Sequence, residues 1–488
     1  MDLPARKQLL WALLAGATLL WLYTLYRAAA LSITYDEAWS WNTYVRGGWD
    51  AILTSTPPAA NNHLLNSILM KLSSGLFGDG EFALRLPNVL AHLAYLGFSM
   101  ALAWRFKKTA LVIFGFVFLN LNPYLLDFFS LARGYGLAMA AMMGAIYFMY
   151  RFFDRKEVRA LYFSILAGCL AVLANFTMLH VLVALVAVLG LGILGMEDRW
   201  RMLKRTLPAL LMVVVLALIV QPHISKLIAA NELYHGGKTG FWKDTVNSVA
   251  YSYLYKHDYW RYDMMALVQF VGLCLLVMFA AFSFRIQAVR FQLHKAGGVA
   301  VFLLLILPAL SSTFQHVFLG SNFLLDRTGM FFQPLFWLAM VFLGAELLDA
   351  STFRRVTHGI GIALFVLLGL HSTTVLNLHH VTEWRYDACT TDMLEDLEAL
   401  HQSDGNPEPV KLGISWQFRA ALNYYITSHN LDWIEKIVKP GCKGDYDYYY
   451  VWKDGKGCKM GKAGIPFFEK QKKEVLKVYD LCSGKLGR

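Results

Sequence analysis

Apolar stretches of bilayer length recur along this chain, at roughly 8–32, 87–104, 109–125, 134–150, 160–175, 178–195, 207–222, 263–284, 297–313, 329–348 and 358–378. A bilayer core takes about 20 apolar residues per helical span, and inside lipid every backbone polar group must be satisfied within its own helix or barrel. The pattern predicts a polytopic α-helical membrane protein of about eleven spans. Composition agrees, since 57% of the 488 residues are hydrophobic and 16% charged, which excludes an ordinary soluble globular class. The first stretch outruns a signal-peptide core and has no convincing small-residue cleavage site behind it, so it is read as a retained helix.

The short loops sort by charge. With the amino terminus in the cytoplasm, the inner loops carry Arg6 and Lys7, Arg105 to Lys108, Arg151 to Arg159, Arg199 to Arg205, Arg285 to Lys295, and Arg354 with Arg355. An odd number of spans then sends the tail outside. From 379 onward that tail holds 16 Lys and Arg against 16 Asp and Glu, so the net charge of +11 belongs to the membrane part. Positive-inside topology explains it, and a nucleic-acid partner loses its basis. Cys389, Cys442, Cys458 and Cys482 fall in the tail, where an oxidising compartment permits one or two disulfides of undetermined pairing. No CxxC or His-rich pattern indicates a metal.

Three outer segments interrupt the helices. The first, 33–86, opens on SITYDEAWSW and contains NNHLLNSILMKLSSGLFG, whose apolar residues recur at helical spacing with Asn62, Asn66 and Ser73 opposite. Too short and polar to span, this helix is expected to lie in the interface. The second, about 223–262, has Gly236 and Gly237 between His235 and Lys238 and reads either as a mobile lid or as a plain interfacial connection. The tail, 379–488, alternates helical and strand patterns over TDMLEDLEALHQ, PVKLGIS, WQFRAALNYYITSHN, YDYYYVW and KEVLKVYDL. It is expected to form one small α/β domain beside a membrane domain of 1–378.

Asp36 and Glu37 stand just beyond the first predicted span. A carboxylate at mid-bilayer costs about 2.5 to 3.5 kcal/mol on insertion scales, and less near the interface, so their charge alone proves nothing. The plain reading is that both are solvated or cap a short helix. Asp127 lies at another outer end, Arg133 and Tyr135 begin the following helix, and Arg327 marks a third. Singly, either arginine would be a snorkelling side chain. Together they suit a reaction on a phosphate-bearing lipid: an arginine fork matches phosphate oxygens, and a carboxylate can take the proton of an attacking hydroxyl.

At these residues the chain resembles the polyprenyl-phosphate-dependent glycosyltransferases of the GT-C superfamily, which include protein O-mannosyltransferases and the aminoarabinose transferases of lipid A. The resemblance rests on YDEAWSW, on FGDGEFALRLPNVL with Glu81, Arg85 and Pro87, on FFSLARGYGLAM, and on DRTGMFFQPLF with Pro334. It implies that Asp36 is the catalytic base and that Arg133, Tyr135 and Arg327 hold the donor phosphate. Where relatives often read His-Pro-Pro or Lys-Pro-Pro, this chain has Asn61, Asn62 and His63. The expectation is an inverting transfer from a polyprenyl monophosphate, undecaprenyl phosphate in a bacterium, to a hydroxyl of a glycan, lipid or protein at the outer face of the inner membrane. Glu37 joins Asp36 as the second catalytic carboxylate, positioning it or the substrates, and Asn62, His63, Asp127, His235 and Lys238 position substrate. No metal or other cofactor is required, because the leaving group is already a phosphate held by arginines. The rivals are a flippase for a lipid-linked sugar, which needs the arginines without a base, and an oligosaccharide ligase or polymerase.

Overall fold

The computed structural model describes residues 3–257, 261–288, 297–349, 354–405, 407–442 and 446–450. Helices dominate it. α1 (Leu3–Ala30), α2 (Tyr35–Ser40), α3 (Gly48–Thr54) and α4 (Leu64–Phe77) are followed by α5 (Glu81–Ala103), α6 (Thr109–Asn120), α7 (Pro123–Phe129), α8 (Gly134–Arg155), α9 (Val158–Ala174), α10 (Leu179–Leu194) and α11 (Arg199–Ala229). Next come α12 (Asn247–Tyr253), α13 (Arg261–Ala288), α14 (Gly297–Leu319), α15 (Phe332–Asp349) and α16 (Arg354–Val375). α17 (Thr390–Asp404), β1 (Leu412–Ile414), α18 (Arg419–Ser428) and β2 (Tyr448–Tyr450) belong to the tail.

Among the described residues nine helices are long and apolar enough to cross a membrane, or ten if α6 and α7, bent by 59° at their break, count together. α9, with 17 residues, falls just short. The difference from about eleven expected spans lies in these elements. The α6–α7 break has a local cause: Pro123 cannot continue a helix, and the Asn122 side chain accepts the Leu125 N–H to start a new one.

Contacts divide the chain into two compact units, one of Met1–Leu25, Pro58–Asn66 and Pro87–Leu376, the other of Tyr26–Pro57, Ser67–Leu86 and Asn377–Arg488. The expected boundary at 378 put all of the first outer loop with the membrane part. Much of that loop instead packs with the tail, because its polar backbone finds partners there. In the first unit α9 packs along α8, where the Ser164 hydroxyl donates to the Ala145 carbonyl at 2.8 Å. Leu111, Phe118, Val341, Leu348 and Leu368 of α6, α15 and α16 form a buried apolar cluster.

In the second unit α2 packs on α18, and β1 pairs in parallel with β2, Leu412 opposite Tyr448 and Ile414 opposite Tyr450. Both helices and both strands coincide with patterns read in the tail, and the further strand expected over KEVLKVYDL lies outside the described residues. Cys389 and Cys442 are disulfide-bonded; Cys458 and Cys482 lie outside the described residues. Tyr424 and Tyr425 are buried core residues. In α4, polar Asn66 and Ser73 are buried while Leu72 and Leu76 are exposed. That is the reverse of an amphipathic helix facing water, as a lipid-facing surface requires.

Candidate active site

The acidic motif folds into the start of α2. Thr34 caps the helix, and Glu37 three residues later accepts both the Thr34 N–H, at 3.0 Å, and its hydroxyl, at 2.9 Å. Arg85 meets the same carboxylate with two prongs, Nε to Oε1 at 2.8 Å and Nη2 to Oε2 at 2.9 Å. The guanidinium also donates to the carbonyls of Ala28, Leu31 and Ser32. A buried arginine requires a carboxylate and backbone acceptors, and this one fastens the turn between α1 and α2. Glu37 is thereby turned toward the protein, with its oxygens committed to Arg85 and Thr34.

Asp36 is half-buried, next to Glu37 in the first turn of α2. Its neighbours within this unit are held from several directions. The Tyr425 hydroxyl accepts the Ile33 N–H at 2.8 Å, and Asp387 accepts the Tyr35 N–H at 2.6 Å. Downstream, the Trp41 indole donates to Asp79 at 2.8 Å, and the Tyr424 hydroxyl to the Asp79 carbonyl at 2.5 Å. Three of these bonds come from the tail, and those of Tyr425 and Asp387 hold the backbone on the amino-terminal side of Asp36.

The cationic residues belong to the other unit. Arg133 is 2% exposed and donates from Nη1 to the Asn61 carbonyl at 3.2 Å. His63 packs edge-on against Tyr135 with ring centroids 5.1 Å apart. Gly134 makes this approach possible, because a Cβ there would lie 1.9 Å from the Ala174 carbonyl oxygen and 2.8 Å from the His63 Cβ. Burial, then the fields of Arg133 and Arg327, hold the His63 imidazole well below its usual pKa. His63 is therefore neutral, and its buried Nε2 has no hydrogen-bond partner among the described residues.

Arg327 sits half-buried in the turn Asp326–Gly329, whose Asp326 accepts the Ser252 hydroxyl at 3.0 Å and lies 3.7 Å from the Lys256 ammonium. Asp127 is fully buried in α7 and accepts the Tyr255 hydroxyl at 3.1 Å. The structure thus brings His63, Asn62, Arg133, Tyr135 and Arg327 into one unit. His235 and Lys238 are exposed on a loop that is braced rather than slack: Gly237 and Phe323 exchange backbone bonds of 2.9 and 2.8 Å. Asp244 accepts the N–H groups of Thr239 and Gly240 and the Thr239 hydroxyl, and these bonds hold its carboxyl below the usual range despite burial.

A cavity of about 550 Å³ opens in the same unit, lined by Val249, Tyr253, Phe270, Leu305, Phe336 and Trp337 among others, with Thr245, Gln333 and His371 among its few polar residues. Among the described residues no group of three or more His, Cys, Asp or Glu side chains gathers to ligate a metal. Sequence reasoning missed Asp387 altogether, since nothing in TEWRYDACTTD distinguishes it. The partner of Glu37 carried a signal: an arginine at the entry to a predicted span, Arg85, calls for a carboxylate.

Residues 62–225 match the family model described as dolichyl-phosphate-mannose-protein mannosyltransferase. That match covers about a third of the chain. The matched part holds Asn62, His63, Arg85, Asp127, Arg133 and Tyr135, whereas Asp36 and Arg327 lie outside it. The chain is also similar to the crystal structure of ArnT from Cupriavidus metallidurans in the apo state, at 16% identity and a TM-score of 0.46 over 88% of this chain and 76% of that one. The same protein bound to undecaprenyl phosphate gives 16% identity and a TM-score of 0.43 over 87% and 75%. Likeness at this distance transfers no residue roles to this chain. No curated protein matches it.

Proposed function

We propose that this protein is a glycosyltransferase that moves a sugar from a polyprenyl monophosphate, undecaprenyl phosphate in a bacterium, to an acceptor hydroxyl at the outer face of the inner membrane. The observation that carries the reading is a buried His63 held neutral by burial and by the fields of two arginines, Arg133 and Arg327, in a unit that also holds an apolar cavity of about 550 Å³. Arginines match phosphate oxygens in charge and geometry, and the cavity lies within the roughly 300–1,000 Å³ typical of ligand pockets. The prenyl chain occupies that cavity, and Arg133 with Arg327 neutralises the phosphate as it leaves. Tyr135 orients Arg133 and His63. Asn62 and His63 offer hydrogen bonds to sugar hydroxyls, Asp127 shapes this wall through Tyr255, and His235 and Lys238 reach substrate from the outer loop.

Asp36 is the general base. As the acceptor oxygen bonds to the anomeric carbon, its proton passes to the Asp36 carboxylate and the carbon–oxygen bond to phosphate breaks, its electron pair going to the phosphate, with inversion. Glu37 keeps Asp36 in place through Arg85. No step uses a metal. In this reading α9 and the bent α6–α7 pair both span, giving about eleven spans with a cytoplasmic amino terminus. The chain from 379 is then periplasmic, and α4 lies in the interface.

The test is single-turnover sugar release from the purified protein in nanodiscs, with radiolabelled polyprenyl-phosphate hexoses and pentoses as donors and native membrane extract as acceptor. Wild type should transfer, and Asp36→Asn should lose about 10²-fold or more, as removal of a general base does. Donor binding without transfer by wild type would sink the assignment and favour a flippase, and full activity in the Asn variant would remove Asp36 as the base.

A further inference from the structure

Asp387 ends the 3₁₀ segment Thr382–Asp387 that leads into α17, and it is 1% exposed. Its Oδ2 accepts the N–H of Tyr35, the residue before Asp36, at 2.6 Å. Its Oδ1 is buried and has no hydrogen-bond partner among the described residues. Arg85 is committed to Glu37. Among the described residues, the acids Asp36 and Glu37 of α2 act on Asp387, and Asp387 in turn acts on the Tyr450 hydroxyl of β2. A buried carboxylate with one backbone donor, an orphan oxygen and two anionic neighbours sheds its charge by taking a proton. Burial first, then Asp36 and Glu37, raise its carboxyl well above the usual range, against the opposing pull of the Tyr35 N–H.

We infer that Asp387 is a positioning residue for the Asp36 base, a neutral carboxylic acid that docks the first turn of α2 through the Tyr35 N–H and whose ionisation sets the alkaline limit of transfer. This rests on the reading of Asp36 given above. When Asp387 ionises, a buried negative charge confronts Asp36 and Glu37, and the turn that aligns the base is pushed away. The neutral acid and an asparagine are then equivalent at this position, because both accept the Tyr35 N–H without charge.

The experiment uses the full chain in nanodiscs as wild type, Asp387→Asn and Asp387→Ala, with two readouts. The first is Tm against pH, which needs no substrate. A carboxyl whose folded pKa is raised contributes stability that is fully present below its unfolded value of about 4 and is lost as pH rises through the folded value. The Asn variant has no such loss, so its Tm should gain on wild type as pH rises. The second is the pH profile of sugar transfer from radiolabelled polyprenyl-phosphate hexoses and pentoses. The alkaline limb should move to higher pH in Asp387→Asn, while Asp387→Ala, lacking the acceptor, should transfer roughly tenfold more slowly, the equivalent of one hydrogen bond. Asn should recover most of that loss.

A Tm difference between wild type and Asn that is the same at every pH overturns the neutral carboxyl. An alkaline limb that stays in place in Asp387→Asn overturns its control of transfer. If wild type transfers nothing from any donor while the Tm difference still follows pH, the reading of Asp36 fails and the positioning role falls with it, but the protonated acid stands.

Discussion

Glu37 and Arg85 form a two-pronged ion pair with both side chains fully buried, the shorter contact being 2.8 Å. Two charges out of water are tolerated only when their remaining hydrogen-bonding capacity is filled. Here Thr34 completes the carboxylate, and three carbonyls around the α1–α2 turn complete the guanidinium. The pair therefore works as a clamp on the backbone that presents Asp36.

Cutting one side of this clamp strands a buried charge. Glu37→Ala or Arg85→Ala should each cost about 3–5 kcal/mol of stability, read as a large drop in Tm and in the yield of folded protein. The double variant should fall well short of the sum of the two losses, because the second substitution removes the charge that the first left unpaired. Additive losses would show that the pair does not act as a unit.

The neutral state of His63 has a pH signature. Its pKa is lowered in the folded protein by burial and by Arg133 and Arg327, so the stability it permits is present above the unfolded value of about 6.5 and is lost as pH falls toward the folded value. Wild type should lose Tm on acidification below about pH 6, and His63→Gln, which cannot take up a proton, should lose less. Equal slopes in the two proteins would mean that His63 titrates normally.

The apolar cavity should set donor affinity rather than the chemical step. Leu305→Trp, at a lining position, fills part of the 550 Å³ and should weaken binding of a polyprenyl phosphate by roughly tenfold or more, since several buried methylenes at about 0.8 kcal/mol each lose their place. Single-turnover rates at saturating donor should change little. A loss in that rate with unchanged donor affinity would place the prenyl chain elsewhere.

Much of this protein was legible in its sequence, because lipid leaves a chain few choices: backbone groups must pair within helices, and apolar runs of the right length declare where. Every apolar stretch falls on a helix, and only the α6–α7 break and the short α9 separate those helices from the expected span count. Local chemistry was readable too. Thr34 and Glu37 are spaced as a capping box, and α18 and β1 lie where the tail's periodicity put them.

What the sequence could not determine is what each charged side chain faces. Asp36 and Glu37 are adjacent in the chain and alike in chemistry, yet one is half-buried in the first turn of α2 and the other is locked onto Arg85, 48 positions away. Asp387 joins them from 352 positions away through the Tyr35 N–H. Periodicity records which face of a helix is apolar, so it determined the helices. Burial and field at a carboxyl depend on groups that only packing brings together, so the tertiary structure alone decided which acid clamps the turn, which is left half-buried beside it and which is buried against the Tyr35 N–H.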